Sequence, residues 1–172
     1  MYKKGYIYKG FKPVYWCPHD ETALAEAEIE YQDDPCTTVY VKFPMHDDQG
    51  KLPGYEKDKL FFVIWTTTIW TLPGNLAIAL HPDESYALVK APNGEVYIMA
   101  EALTDKVMRL GGFDTWEIAE THPGAFFENM LADHPFLPKT SRLLLADYVT
   151  MDSGTGCVHT APGFGADDYE TC

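Results

Sequence analysis

From position 37 onward, short β-forming runs are cut apart by closely spaced turn residues, and this rhythm constrains the fold more than any other feature of the sequence. Residues 37–43, 59–65, 76–80, 86–90 and 95–99 are rich in β-branched and aromatic side chains, which suit a pleated, half-buried surface. Between them stand Asp47-Asp48-Gln49-Gly50, Leu72-Pro73-Gly74-Asn75, His81-Pro82-Asp83 and Pro92-Asn93-Gly94, the last a good hairpin turn. Many short strands joined by tight turns predict a mainly β fold with peripheral helices, built on a barrel or sandwich core. One helix is expected over 100–110, with Leu103, Val107 and Leu110 at helical spacing and Gly111-Gly112 as its stop. It should cover the barrel. Segments 116–119, 125–131 and 143–149 complete the body, and 12–18 reads as an extended, Pro-bounded entry. Residues 22–30 fit a short helix or a strand equally well.

The chain has 172 residues, enough for one domain and a sizeable core at 46% hydrophobic content, which excludes a disordered acidic tail. The longest apolar run, 60–65, falls far short of the roughly 20 residues that a membrane span requires. The basic start Met1-Tyr2-Lys3-Lys4 is not followed by an apolar targeting stretch, so a cytoplasmic location without membrane contact is expected. Cys17, Cys36, Cys157 and Cys172 form no C-x-x-C pair and are expected as reduced thiols. Cys17 with His19 gives C-x-H, not a finger spacing, and no zinc site is expected. The last residues, Asp167 to Cys172, read as the first turn of a helix that stops, as in an excised domain.

Two segments place polar groups where a core-seeking sequence would not. In Trp65-Thr66-Thr67-Thr68-Ile69-Trp70, three consecutive hydroxyls follow a strongly apolar strand. They can hold a ribose, a phosphate or a water, or they can simply end a strand with hydroxyls bonded to local backbone. In the segment from Gly154 to Tyr169, glycines permit close approach to a ligand, His159 ends a short apolar strand, and Asp167 and Asp168 open a helix. Gly-x-Gly occurs twice without the G-x-G-x-x-G continuation of a dinucleotide site. His159 and Asp168 suit acid–base chemistry, or equally a hydrogen-bonded buried histidine and a helix-capping aspartate. From the residues alone, the conclusion is a polar pocket.

The threonine run, the segment Gly154-Thr155-Gly156-Cys157-Val158-His159-Thr160-Ala161-Pro162-Gly163 and the opening Gly5-Tyr6-Ile7-Tyr8-Lys9-Gly10 with Lys12-Pro13-Val14-Tyr15-Trp16 resemble the isoleucyl-tRNA synthetases of bacteria. The likeness is to the editing domain inserted in their catalytic Rossmann fold, and it covers essentially the whole chain. It implies a single editing domain over 1–172, with 1–12 at the edge of the catalytic fold and 13–172 as the body, around a β-barrel core. Valyl and leucyl relatives usually carry Thr-Thr-Arg-Pro where this chain has Thr67-Thr68-Ile69-Trp70.

The resemblance implies an aminoacyl-tRNA deacylase that hydrolyses valine from mischarged tRNA(Ile), and valyl-adenylate as a further substrate. Carried over by position, Asp168 matches the aspartate that grips the substrate's α-ammonium group, and His159 the histidine lining the amino-acid pocket. Thr66, Thr67 and Thr68 match the threonines that contact the terminal adenosine and position the attacking water. Asn75 matches a polar residue of the same wall, Trp70 is expected beneath the site, and Gly163 belongs to the substrate-binding loop. Editing is expected to need no cofactor, with ATP and Mg reserved for the full-length ligase. The implied partners are the CCA end of tRNA(Ile), its valine and the rest of the synthetase, with a monomer expected. Two positions depart from the family pattern: Ile69 stands where proline is common, and Phe164 where many members have histidine. The alternatives are a module that binds aminoacyl-adenosine without turnover when isolated, and the editing domain of a valyl or leucyl relative.

Overall fold

The computed structural model describes residues 1–10, 14–33 and 35–172, so the expected entry at Lys12-Pro13 and the boundary at 12/13 lie outside the described residues. The chain divides into two compact units, Met1–Pro35 and Cys36–Cys172. The first unit holds a two-stranded antiparallel ribbon, β1 (Tyr15–Cys17) and β2 (Thr22–Leu24). Cys17 closes the turn between them, its thiol 3.4 Å from Asp20 Oδ2 and from the Asp20 N–H. Residues 22–30 turn out to be a strand followed by a 3-10 turn, Glu26–Glu28.

The second unit is a single nine-stranded sheet. Its strands are β3 (Val39–Asp47), β4 (Leu60–Thr66), β5 (Ala77–Leu80), β6 (Ser85–Lys90), β7 (Val96–Ala100), β8 (Glu117–Pro123), β9 (Leu131–Asp133), β10 (Thr140–Leu145) and β11 (Cys157–Thr160). They lie in the order β11-β5-β10-β9-β3-β4-β7-β6-β8, antiparallel except for the parallel pairs β10–β5 and β4–β7. β3 is the hinge of the arrangement. Residues 39–44 pair with β4, and after a register shift between Met45 and Asp47 the same strand pairs with β9, as a bulge allows.

The mainly β class is as the turn spacing predicts, but hydrogen bonding does not close the sheet into a barrel among the described residues. Its free edges are β11 and β8. β8 is suited to remain one, since it is mostly exposed, carries Glu117 and Glu120, and ends at Pro123, which has no N–H to donate.

The core sits on β4, β6 and β7, whose residues are buried on both faces, as the uninterrupted apolar run 60–65 requires. Phe43, Phe62, Ile64, Leu88, Ile98 and Phe127 are among its fully buried members, each stabilising the fold by about 1.5–3 kcal/mol. Pro92-Asn93-Gly94 makes the β6–β7 hairpin, with Ala91 N–H donating to Glu95 O at 2.9 Å. The expected helix begins as a 3-10 turn and becomes α1 (Thr104–Leu110). Its buried stripe is Leu103, Thr104, Val107 and Met108, while Leu110, expected inside, faces out. Phe113 N–H reaches Met108 O at 3.1 Å and Gly112 N–H reaches Arg109 O at 3.0 Å, with Gly112 at φ +81. This is the left-handed glycine ending that the Gly-Gly pair predicts. A second helix, α2 (Ala166–Thr171), follows β11.

Candidate functional site

The two polar segments meet because β5 and β11 are neighbours, with Ile78 opposite His159 and Ala77 opposite Thr160. The threonine run leaves the end of β4, and the glycine-rich segment both precedes and follows β11. Between them lies a cavity of about 370 Å³. Thr66, Thr67, Thr68 and Thr71 line one side, Tyr148, Thr150, Ser153 and Thr155 another, and His159, Phe164 and Asp168 complete it. Thr71, Tyr148, Thr150 and Ser153 were not singled out by sequence reasoning; Thr71 falls three residues after Thr68, the spacing that a 3-10 turn eclipses.

Thr66 is buried, and its Oγ1 accepts the Thr68 N–H at 3.1 Å. Thr68 then leads into the 3-10 turn Ile69–Gly74. Thr71 Oγ1 donates to Thr68 O at 2.8 Å and sits 3.0 Å from His159 Nε2. The threonines thus bond local backbone and also line the cavity.

Asp168 lies in the first turn of α2 and is the one carboxylate among the described residues lining the cavity, which contribute no lysine or arginine. Its Oδ2 accepts the Ala161 N–H at 2.7 Å. It does not cap its own helix, whose N-cap is Gly165. The bond ties α2 to the strand carrying His159 and leaves Oδ1 for a ligand.

Three expected site residues do not line the cavity. Trp70 is 70% exposed, because the turn Ile69–Gly74 buries Leu72 and throws Ile69 and Trp70 outward. It does not pack beneath the site. Gly163 lies in the exposed turn closed by Phe164 N–H to Ala161 O at 2.9 Å. Asn75 is 0% exposed and stands behind the cavity wall. Its Nδ2 donates to Ala77 O at 2.8 Å and lies 2.7 Å from His159 Nδ1, and its Oδ1 accepts from Ser141 Oγ at 2.5 Å. Of the two departures, Ile69 points away, whereas Phe164 borders the cavity with its ring over Gly74.

The loop between β9 and β10 clamps the threonine turn from outside. His134 Nε2 donates to Leu72 O at 2.8 Å, and Lys139 Nζ donates to Pro73 O and Asn75 O at 2.7 and 2.6 Å. The carbonyls at the end of the turn are thus held by side chains, as a helix terminus requires. The glycine-rich loop is held from the core, where Tyr86 Oη donates to Gly156 O at 2.6 Å and accepts the His81 N–H at 2.9 Å.

Thr71 beside His159 resembles a hydroxyl nucleophile with its base, but the proton directions are wrong. The hydroxyl proton of Thr71 is spent on Thr68 O, so the imidazole receives none. Burial also lowers the His159 pKa, although Asp168 opposes this. Cys157 is buried, and burial pushes its thiol up, away from the thiolate a nucleophile needs. What the cavity offers is a fixed array of hydroxyls, one carboxylate for a cationic group, and backbone donors. Such a site has the donors and acceptors to hold a water and a small polar ligand. Among the described residues, no three His, Cys, Asp or Glu side chains converge as metal ligands, and no helix is long and apolar enough to cross a membrane.

Residues 1–151 match the family model of tRNA synthetases class I (I, L, M and V). The isoleucine–tRNA ligase of Caldicellulosiruptor saccharolyticus is 52% identical over 100% of this chain and 19% of its own length. That of Thermoanaerobacter pseudethanolicus is 53% identical over 98% of the chain and 18% of its own length. The chain thus spans about a fifth of the curated relatives it matches. The editing domain of the P. knowlesi cytosolic leucyl-tRNA synthetase superposes with a TM-score of 0.65 at 14% identity, covering 82% of this chain and 64% of that one. At that identity the likeness is one of fold.

Proposed function

The chain belongs to the class I tRNA synthetases of the I, L, M and V group, and from that premise we propose that its cavity is a hydrolytic editing site that removes valine from mischarged tRNA(Ile), and from valyl-adenylate. The observation that carries this reading is Asp168 as the single carboxylate among the described residues that line a hydroxyl-rich cavity. An α-ammonium group is the complement such a site selects.

The need for the reaction is physical. One methylene is worth about 1–3 kcal/mol in an apolar pocket, so a synthetic site discriminates isoleucine from valine by only about 10–200-fold; this pair is itself the known instance of the limit. A second pocket too small for isoleucine reverses the test.

In this reading the CCA end enters the cavity, Asp168 fixes the ammonium, and Thr66, Thr67 and Thr68 orient the adenosine and a water that attacks the ester carbonyl. His159 shapes the amino-acid pocket. Positioning supplies most of the rate, and the neighbouring ribose hydroxyl assists the leaving oxygen. No metal, ATP or covalent nucleophile takes part. The ligase reaction belongs to the remainder of a synthetase, the partner that grips the tRNA body. The chain acts as a monomer in the cytoplasm.

The test is calorimetry with non-hydrolysable valyl-adenosine and isoleucyl-adenosine on this chain, on Asp168→Ala and on Asp168→Asn. Valyl-adenosine should bind at least tenfold more tightly than isoleucyl-adenosine. Removing the carboxylate should weaken valyl binding by about 10–100-fold, the worth of a hydrogen bond to a charged group. Equal binding of the two analogues, or full deacylation by Asp168→Ala, would end this reading.

A further inference from the structure

We propose that Asn75 is a positioning residue that locks His159 in its neutral, Nε2-protonated tautomer, so that Asp168 stays the single charge facing a cationic amine. The last clause rests on the editing reading; the lock itself rests on bond directions alone.

At one end of the ring, Asn75 Nδ2 is a donor and nothing else. Its orientation is set by Ala77 O, which can only accept, at 2.8 Å, and by the Ser141 hydroxyl on Oδ1. His159 Nδ1, 2.7 Å from that nitrogen, must therefore accept and carry no proton. At the other end, Thr71 has already given its proton to Thr68 O, so at 3.0 Å its oxygen must accept from Nε2–H. Two independent chains of donors thus assign the same tautomer. Imidazolium would set an N–H against the amide N–H₂ of a fully buried asparagine that is held in place by Ala77 O and Ser141.

The charged and titratable groups whose fields reach His159 are Asp168 on α2, and His134 and Lys139 on the β9–β10 loop, while Tyr148 and Cys157 share its cavity wall. Asp168 favours imidazolium, while burial, His134 and Lys139 oppose it. Ammonium-binding cavities gain from this arrangement, because a cationic histidine would both repel the amine and compete for its carboxylate.

The experiment is long-range ¹H–¹⁵N NMR of the histidine rings in this chain from pH 8 to 5.5. At pH 6.5 and above His159 should show an unprotonated Nδ1 and a protonated Nε2, with imidazolium the major form only below that pH. An Nδ1–H tautomer, or imidazolium above pH 6.5, overturns the proposal. Asn75→Asp replaces the donor with an acceptor and should move the proton to Nδ1 and raise the His159 pKa by at least one unit. The Asp variant should then lose more valyl-adenosine affinity between pH 8 and pH 6 than the parent chain does. Since the buried carboxylate can prevent folding, Thr71→Val is the second variant. It removes the Nε2 partner and keeps Asn75, so the tautomer should persist; a flip would show that Asn75 does not set it and would overturn the proposal. The spectra are read without substrate, so failure to discriminate valine falls on the editing reading alone.

Discussion

Single side chains hold this site together from outside it, and Tyr86 shows how. Its hydroxyl meets two backbone groups at once, accepting the His81 N–H and donating to the Gly156 carbonyl, and burial pushes its phenol well above the ordinary range. Tyr86→Phe should lower stability by about 1–3 kcal/mol, because it leaves buried polar groups unmet, read as a reduced urea midpoint at unchanged slope. Residue identity alone could not reveal this, since a tyrosine in an apolar strand reads as core. Asn75 misleads in the opposite direction. After Pro73-Gly74, an asparagine reads as an exposed turn or a wall residue. Its burial depends on Ser141, 66 positions away, and His159, 84 positions away, which no local pattern contains. His159 and the three threonines stand out because each is a polar group placed where an apolar run has just ended, and Asp168 because it falls at the start of a helix.

Among the elements, those with local punctuation were legible. The 92–94 hairpin and the Gly-Gly end of α1 are written in residues that only those backbone shapes favour. The strands at 39–47 and 60–66 follow from composition. Segments 116–119, 125–131 and 143–149 were placed less well: β8 runs on to Pro123, 124–127 is a 3-10 turn, and β10 ends at Leu145. Their short apolar runs, each broken by one or two polar residues, fit strand, turn or helix alike and leave the outcome to pairing with distant strands. The loop before β11 depends on a special backbone at Gly156, with φ +71 and an added Cβ only 2.5 Å from that of Ala100. Gly156→Ala should therefore destabilise the chain by more than the roughly 1–2 kcal/mol of left-handed backbone strain alone. It should also weaken ligand binding through Thr155 and His159, checked by the urea midpoint and by the same calorimetry.

Over the whole molecule, charge and protonation set the behaviour. With a formal charge of −13, the chain presents no general attraction to phosphates. It should form no stable complex with tRNA at physiological salt, and a tight shifted band in a gel would contradict this. Stability should fall on acidification in two stages. His159 is neutral in the fold and held below its ordinary value of 6.5, so the unfolded chain takes up its proton first and stability begins to fall below about that pH. Asp48 and Glu95 are lowered despite burial, by Lys57 and Lys42 respectively, and Glu120 is lowered by His122. Their contributions are lost as pH drops through those depressed values, and urea midpoints measured from pH 8 to 3 should decline shallowly and then steeply. Among the described residues hydrogen bonding does not close the expected barrel, because closure is a property of all nine strands together and β8 keeps its charged edge free. The pairing of β5 with β11 also orders events in time. Asn75 leaves a ribosome 84 residues ahead of His159, which at about 5–20 residues per second is an interval of roughly 4–17 s. For that interval the nascent chain has its threonine run but no imidazole to complete the cavity wall, so the cavity cannot form until β11 has been translated.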